Sequence, residues 1–173
     1  MKKIALVAVA LFIAFPAVAA QQNGVLKLSL WDQTAIAAPN NTQDVSGLDF
    51  GIGSKTATVT GLQLDLIWAE TSYNLKGVSH AWLVSMANDV KGLQLAAFVK
   101  GNEVTGVQMG LVNLTNSING LQFGFFNQTD YLHGVQFGFV NYARDLDQGL
   151  QLGLLNIAEN GFVPVMVFVN GRF

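Results

Sequence analysis

Cysteine is missing from this 173-residue chain, so disulfides contribute nothing to its stability, even in a compartment that would permit them. What holds the fold must be backbone pairing and burial. The same absence leaves no cysteine for lipid anchoring after a leader. Charge is scarce too: only 12% of residues are Asp, Glu, Lys or Arg, the formal net charge is −2, and no basic cluster stands anywhere. Nucleic acid is therefore not an expected partner. Three prolines against eighteen glycines, with half the residues apolar, describe an extended, turn-rich chain rather than a helical one. Histidine occurs twice, at His80 and His133, in unlike surroundings, where a metal site would want several converging ligands. No metal and no cofactor is expected.

Residues 1–20 have the layout of a secretory signal peptide. Lys2 and Lys3 precede an apolar run over 4–15, Pro16 ends it, and Ala17, Val18, Ala19 and Ala20 offer a small-residue cleavage site. The run is shorter than the ~20 residues of a spanning helix. Its removal takes two lysines away and moves the formal charge from −2 to −4. Residues 21–173 then form a single domain.

That domain is written in repeats. Four successive phrases read GVQMGLVN, GLQFGFFN, GVQFGFVN and GLQLGLLN, and the same frame extends upstream in weaker form. Leading glycines fall at Gly47, Gly61, Gly77, Gly92, Gly106, Gly120, Gly134 and Gly149, spaced 14 to 16 residues apart. Leu or Val follows each glycine, then a polar residue (Asp49, Gln63, Ser79, Gln94, Gln108, Gln122, Gln136, Gln151). Two positions later comes a small or polar residue such as Gly110, Gly124 or Asp65, with large apolar residues between. Alternation of period two makes these strands, with Leu and Phe on one face and Gln and Gly on the other. Asn113, Asn127, Asn141 and Asn156 close the later strands, and an aliphatic residue (Val104, Ile118, Leu132) re-enters before the next glycine.

Two all-β architectures follow. Ten alternating residues, 104–113, would span ~33 Å as a straight strand, and the four left in the spacer reach at most ~14 Å. Straight strands would therefore run up and down. Residues 25–31, eight glycine-led units and 162–170 make ten strands, an even number that can close a barrel of the outer-membrane type. In that barrel Asp49, Gln63, Asp65, Gln94, Gln108, Gln122, Gln136 and Gln151 would face the lumen. Leu121, Phe123, Phe125, Val135, Phe137 and Phe139 would face lipid, and the segments 32–44 and 68–76 would be outer loops. Trp31, Trp68, Tyr73, Tyr131 and Tyr142 would sit near the lipid interface, with Trp82 inside a strand. The alternative is a parallel β-solenoid with one bent coil per repeat, a dry Leu/Phe core and glutamine ladders outside. Uneven spacing and a spacer poor in apolar residues favour the barrel.

The GLQxGxxN phrase over 45–156 resembles bacterial surface-repeat-containing proteins with GLQLGLVN-type units, and the exit PVMVFVNGRF is similar to their closing segment. Asp65, His80 and Trp82 depart from the pattern. The resemblance implies an exported protein at the cell surface and brings no activity. The alternating Val163, Val165, Val167 and Val169 before Phe173 resemble the signature that outer-membrane barrels show their assembly machinery. Outer-membrane lipid and that machinery are the partners implied, beside an unidentified surface ligand. No catalytic residues are expected: Ser79, His80 and Asp89 assemble a triad only on paper, since neighbouring strand residues point to opposite faces. The function expected is non-enzymatic, an envelope-structural or small-pore barrel, or alternatively an exported solenoid that binds or adheres.

Overall fold

The computed structural model describes residues 23–35 and 42–173; the leader expected at 1–20 lies outside the described residues. Strands β1 (Asn23–Trp31), β2 (Thr34–Ala35), β3 (Asp44–Ala81), β4 (Val84–Leu95), β5 (Phe98–Met109), β6 (Val112–Ala158) and β7 (Val165–Arg172) pair in the order β2-β1-β3-β4-β5-β6-β7. At 38 and 47 residues, β3 and β6 are far longer than any globular strand. They wind through several coils each. The pairings β1–β3, β3–β4, β4–β5 and β5–β6 are parallel, and repeats meet in register: Gly77 lies beside Gly92, Gly92 beside Gly106 and Gly106 beside Gly120.

The chain is thus a parallel-rich β-solenoid, and the antiparallel up-and-down barrel with its membrane-crossing strands is overturned. The straight-strand argument fails because the chain bends within each repeat, at Trp82–Leu83, Ala96–Ala97 and Gly110–Leu111 in the middle coils. A bent ten-residue run never needs a long return. Uneven spacing is no obstacle either: the 16-residue repeat takes its surplus as a bulge between Thr71 and Asn74, with Tyr73 pushed outward. Residues 68–76, expected as an outer loop, belong to β3. The segment expected to close a barrel, β7, pairs antiparallel with the end of β6 alone.

The solenoid as expected also had its faces reversed. The glutamines at the third position of each repeat are fully buried, while Phe123, Phe125, Phe137 and Phe139 are exposed. The interior is built from columns, one residue per coil. One is aliphatic: Val59, Leu75, Val90, Val104, Ile118, Leu132 and Leu146. Another is the glutamines, a third is Asn113, Asn127, Asn141 and Asn156, and Thr or Ala fill a fourth. The coil needs no opposing apolar wall, because amide ladders supply one.

The ladders run in opposite senses. From Gln108 onward each glutamine Nε2 donates to the Oε1 of the previous coil: Gln108 to Gln94 at 2.9 Å, Gln122 to Gln108 at 3.0 Å, Gln136 to Gln122 and Gln151 to Gln136 at 2.7 Å. Each asparagine Nδ2 donates forward, from Asn113 to Asn127, Asn127 to Asn141 and Asn141 to Asn156, all at 2.8 Å. A unidirectional ladder must leave an acceptor at the end from which no donor comes. Those are Gln151 Oε1 and Asn113 Oδ1, two of three buried polar atoms without a partner among the described residues. Repetition at coil pitch lets every inner amide be satisfied, which is why a polar interior is tolerated here.

The leading glycine makes that pitch possible. Gly106 and Gly120 hold φ of 138° and 148°, and a Cβ on Gly120 would lie 1.9 Å from the Gly106 carbonyl oxygen. No side chain fits between coils there.

Candidate functional site: an apolar outer face

The outward positions nearest the glycines form three rows running along the solenoid. The first holds Leu62, Leu93, Leu121 and Val135 among others, the second Phe50, Met109, Phe123 and Phe137, and the third Leu66, Trp82, Leu111, Phe125 and Phe139. Polar side chains enter only at His80. Exposure is high for residues this large: 69% at Trp82, 65% at Leu111, 59% at Phe125. The alternation that sends glutamine inward sends these residues out, coil after coil. Coil pitch then stacks like on like. Phe123 and Phe137 lie 5.3 Å apart at 3°, and Phe125 and Phe139 lie 4.8 Å apart at 5°. His80 meets Trp82 edge-on at 6.5 Å.

Eight coils at ~4.8 Å and rows ~6.6 Å apart make a strip of roughly 34 by 13 Å between Cα atoms, and about 700 Å² once side-chain margins are added. That exceeds the ~300–600 Å² of the largest apolar patch on a typical monomer. Of the residues expected against lipid, Phe123, Phe125, Phe137 and Phe139 project from this face and Leu121 and Val135 are half-buried within it. Of those expected to line a lumen, all eight are buried inside the coil, in contact with other side chains and with no channel for them to line. The sequence signal that separated the sets was the period-two alternation; which set is inside was not contained in it.

Asp49 and Asp65 lie in the first coils beside Lys27, which is 1% exposed and donates from Nζ to the Lys55 carbonyl and to Thr56 Oγ1, both at 2.7 Å. Ser29 and Thr56 donate to Asp49 at 3.2 and 2.6 Å, and Ser54 donates to Asp65 Oδ2 at 2.6 Å. The Lys27 ammonium stands 4.0 Å from Asp49. Burial pushes the Asp65 carboxyl up to about 7 against the opposing Ser54 hydrogen bond, and burial lowers Lys27 against the pull of Asp49 and Asp65. Sequence reasoning missed Lys27, although a lysine alternating with leucines in the first strand was the available signal. This cluster seals the first coils where later ones carry glutamine and glycine.

Among the described residues, the serine and histidines singled out do not assemble into nucleophile and base. Ser79 is buried and donates to Gln63 Oε1 at 3.2 Å, whereas His80 points to the outer face. His133 is exposed and lies 3.6 Å from Asp147. Among the described residues no group of three His, Cys, Asp or Glu could hold a metal ion. An open groove of about 540 Å³ lies elsewhere on the coil, lined by Glu70, Ser72, Asn88, Lys100, Asn102 and Asn116.

Comparison with protein-family models, with curated proteins and with solved structures gave no match. The class that the fold itself defines is a repeat-built β-solenoid with a polar interior.

Proposed function

We propose that this protein is an exported, non-catalytic interaction module whose working surface is the apolar outer face. The observation that carries the reading is the size and continuity of that face, formed by the three outward rows beside the glycines. A solvated monomer does not ordinarily present so much contiguous apolar surface. A rigid solenoid holds it pre-formed, with two rows on the strands and the third at the bends, so little conformational entropy is lost when a partner covers it. Export is supported by the leader-like residues 1–20 and by the resemblance to surface-repeat proteins.

The test is retention at the cell envelope. Intact cells carrying the protein are washed without detergent, and the wild type is compared with a variant in which Phe123, Phe125, Phe137 and Phe139 are all replaced by Ser. The wild type should remain with the envelope or associate with itself, and the variant should do neither. Equal retention of the two, with both folded by circular dichroism and both monomeric in solution, would overturn the reading.

A further inference from the structure

We propose that the apolar outer face is covered by a second copy of this chain, the two solenoids packed face to face about a two-fold axis. The inference rests on the interaction-module reading above and names its partner. Three observations carry it.

The first is area. A stable protein–protein interface buries about 800 Å² on each side, and the strip of three rows and eight coils offers roughly 700 Å². One copy of the same strip covers the other almost completely. A smaller partner would leave large apolar residues wet.

The second is relief. Along the third row, Leu66, Trp82, Leu111, Phe125 and Phe139 are large and well exposed, but Ala97 interrupts them. Ala97 is fixed in the same ladder: its N–H donates to the Trp82 carbonyl at 3.1 Å, and its own carbonyl accepts from Val112 at 3.0 Å. It therefore makes a recess directly beside the projecting Leu111. The recess falls in the fourth coil of eight and Leu111 in the fifth. A two-fold axis along the strands, between these coils, sets Leu111 of each copy over Ala97 of the other. The same axis gives full overlap of the eight coils and lays β1, which continues the rows with Leu26 and Leu28, against β7 of the other copy. Maximum area and knob-into-hole fit thus demand one register, as an isologous interface requires.

The third is charge. The three rows contain no lysine, arginine, aspartate or glutamate, so two copies meet without like-charge repulsion. The row bordering the face mixes Lys76 and Lys91 with Ser46, Thr60, Thr105 and Asn119. Such a border lacks the dense basic stripe by which a protein lies on an anionic bilayer. Matching sheet pitch also suits packed sheets about 10 Å apart, which fluid lipid does not require.

Sedimentation of the purified protein without detergent tests this. The wild type should sediment as a dimer. Ala97→Trp fills the recess and Leu111→Glu places a charge in the seam; each change occurs twice across the two-fold axis and should weaken dimerisation by at least about 30-fold. Both positions face outward, so both variants should keep the wild-type circular dichroism spectrum. Gln128→Glu, on another face, should remain dimeric. A wild type that stays monomeric at about 100 µM overturns the inference, as does an Ala97→Trp protein that dimerises like the wild type. Binding of a monomeric wild type to neutral phosphatidylcholine vesicles would overturn the dimer and leave the interaction-module reading standing. A monomer that neither binds vesicles nor stays with the envelope would overturn both.

Discussion

Replacing Gln122 with Glu changes one buried NH2 group to oxygen while keeping shape and volume, and it interrogates the interior directly. The wild-type Nε2 donates to Gln108 Oε1 at 3.0 Å and Thr115 Oγ1 at 3.1 Å, and approaches the Gln128 carbonyl at 3.4 Å. Oε1 accepts from Gln136 at 2.7 Å. In the variant that last contact survives and is strengthened by charge. Gln108 Oε1, which still accepts from Thr115 Oγ1 at 2.5 Å, and the Gln128 carbonyl instead face a carboxylate oxygen. Each hydrogen bond lost costs about 0.5–1.5 kcal/mol, and a buried charge compensated by little besides the Gln136 amide adds several more. A loss of roughly 4 kcal/mol or more is expected at pH 8, lowering Tm by at least about 8 °C for a chain of this size. Acid should restore much of it, because a protonated carboxyl can again donate to Gln108. The folded-state pKa of this buried glutamate is raised, so stability falls as pH climbs from the ordinary glutamate range. Thermal melts at pH 4.5 and pH 8 measure the effect, with the exposed Gln128→Glu as control. A Gln122→Glu protein that melts within 2 °C of wild type at pH 8, a shift of under roughly 1 kcal/mol, would show that the glutamines meet water and would refute the packing argument.

Gly120→Ala should cost about 3 kcal/mol or more, because its Cβ would meet the Gly106 oxygen at 1.9 Å and φ is 148°; a urea midpoint unchanged from wild type would contradict the coil stacking. Asp65 ionises near 3.8 when unfolded and at about 7 when folded, so the unfolded chain releases its proton first. Stability should therefore decline between about pH 4 and pH 7 and level off above, by at most on the order of 4 kcal/mol. Asp65→Asn should flatten that slope and raise Tm at pH 8, as scanning calorimetry across this window would record.

Much of the fold was legible along the chain. The glycine-led frame, the period-two alternation and the return of Val104, Ile118 and Leu132 each describe a local feature, and all three stand in the structure as strands, faces and an aliphatic column. The direction of pairing was not legible, because it depends on whether the chain bends between Met109 and Val112. Gly110 permits such a bend without demanding it. The Thr71–Asn74 bulge was equally hidden, and it removes the objection from uneven spacing.

By itself, then, the sequence determined that one strand-forming unit recurs, that Leu and Phe occupy one face of it and Gln, Asn and Gly the other, and that a disulfide-free chain must live by pairing. Only the tertiary structure decided which face is inside. A lone buried glutamine is costly, and on hydropathy it belongs outside. Stacked at coil pitch, each Gln from Gln94 to Gln151 finds the same amide one coil away at 2.7 to 3.0 Å, and the cost of desolvation is offset along the column. The phenylalanines are thereby turned outward, and the surface on which the proposed function rests is a consequence of that exchange.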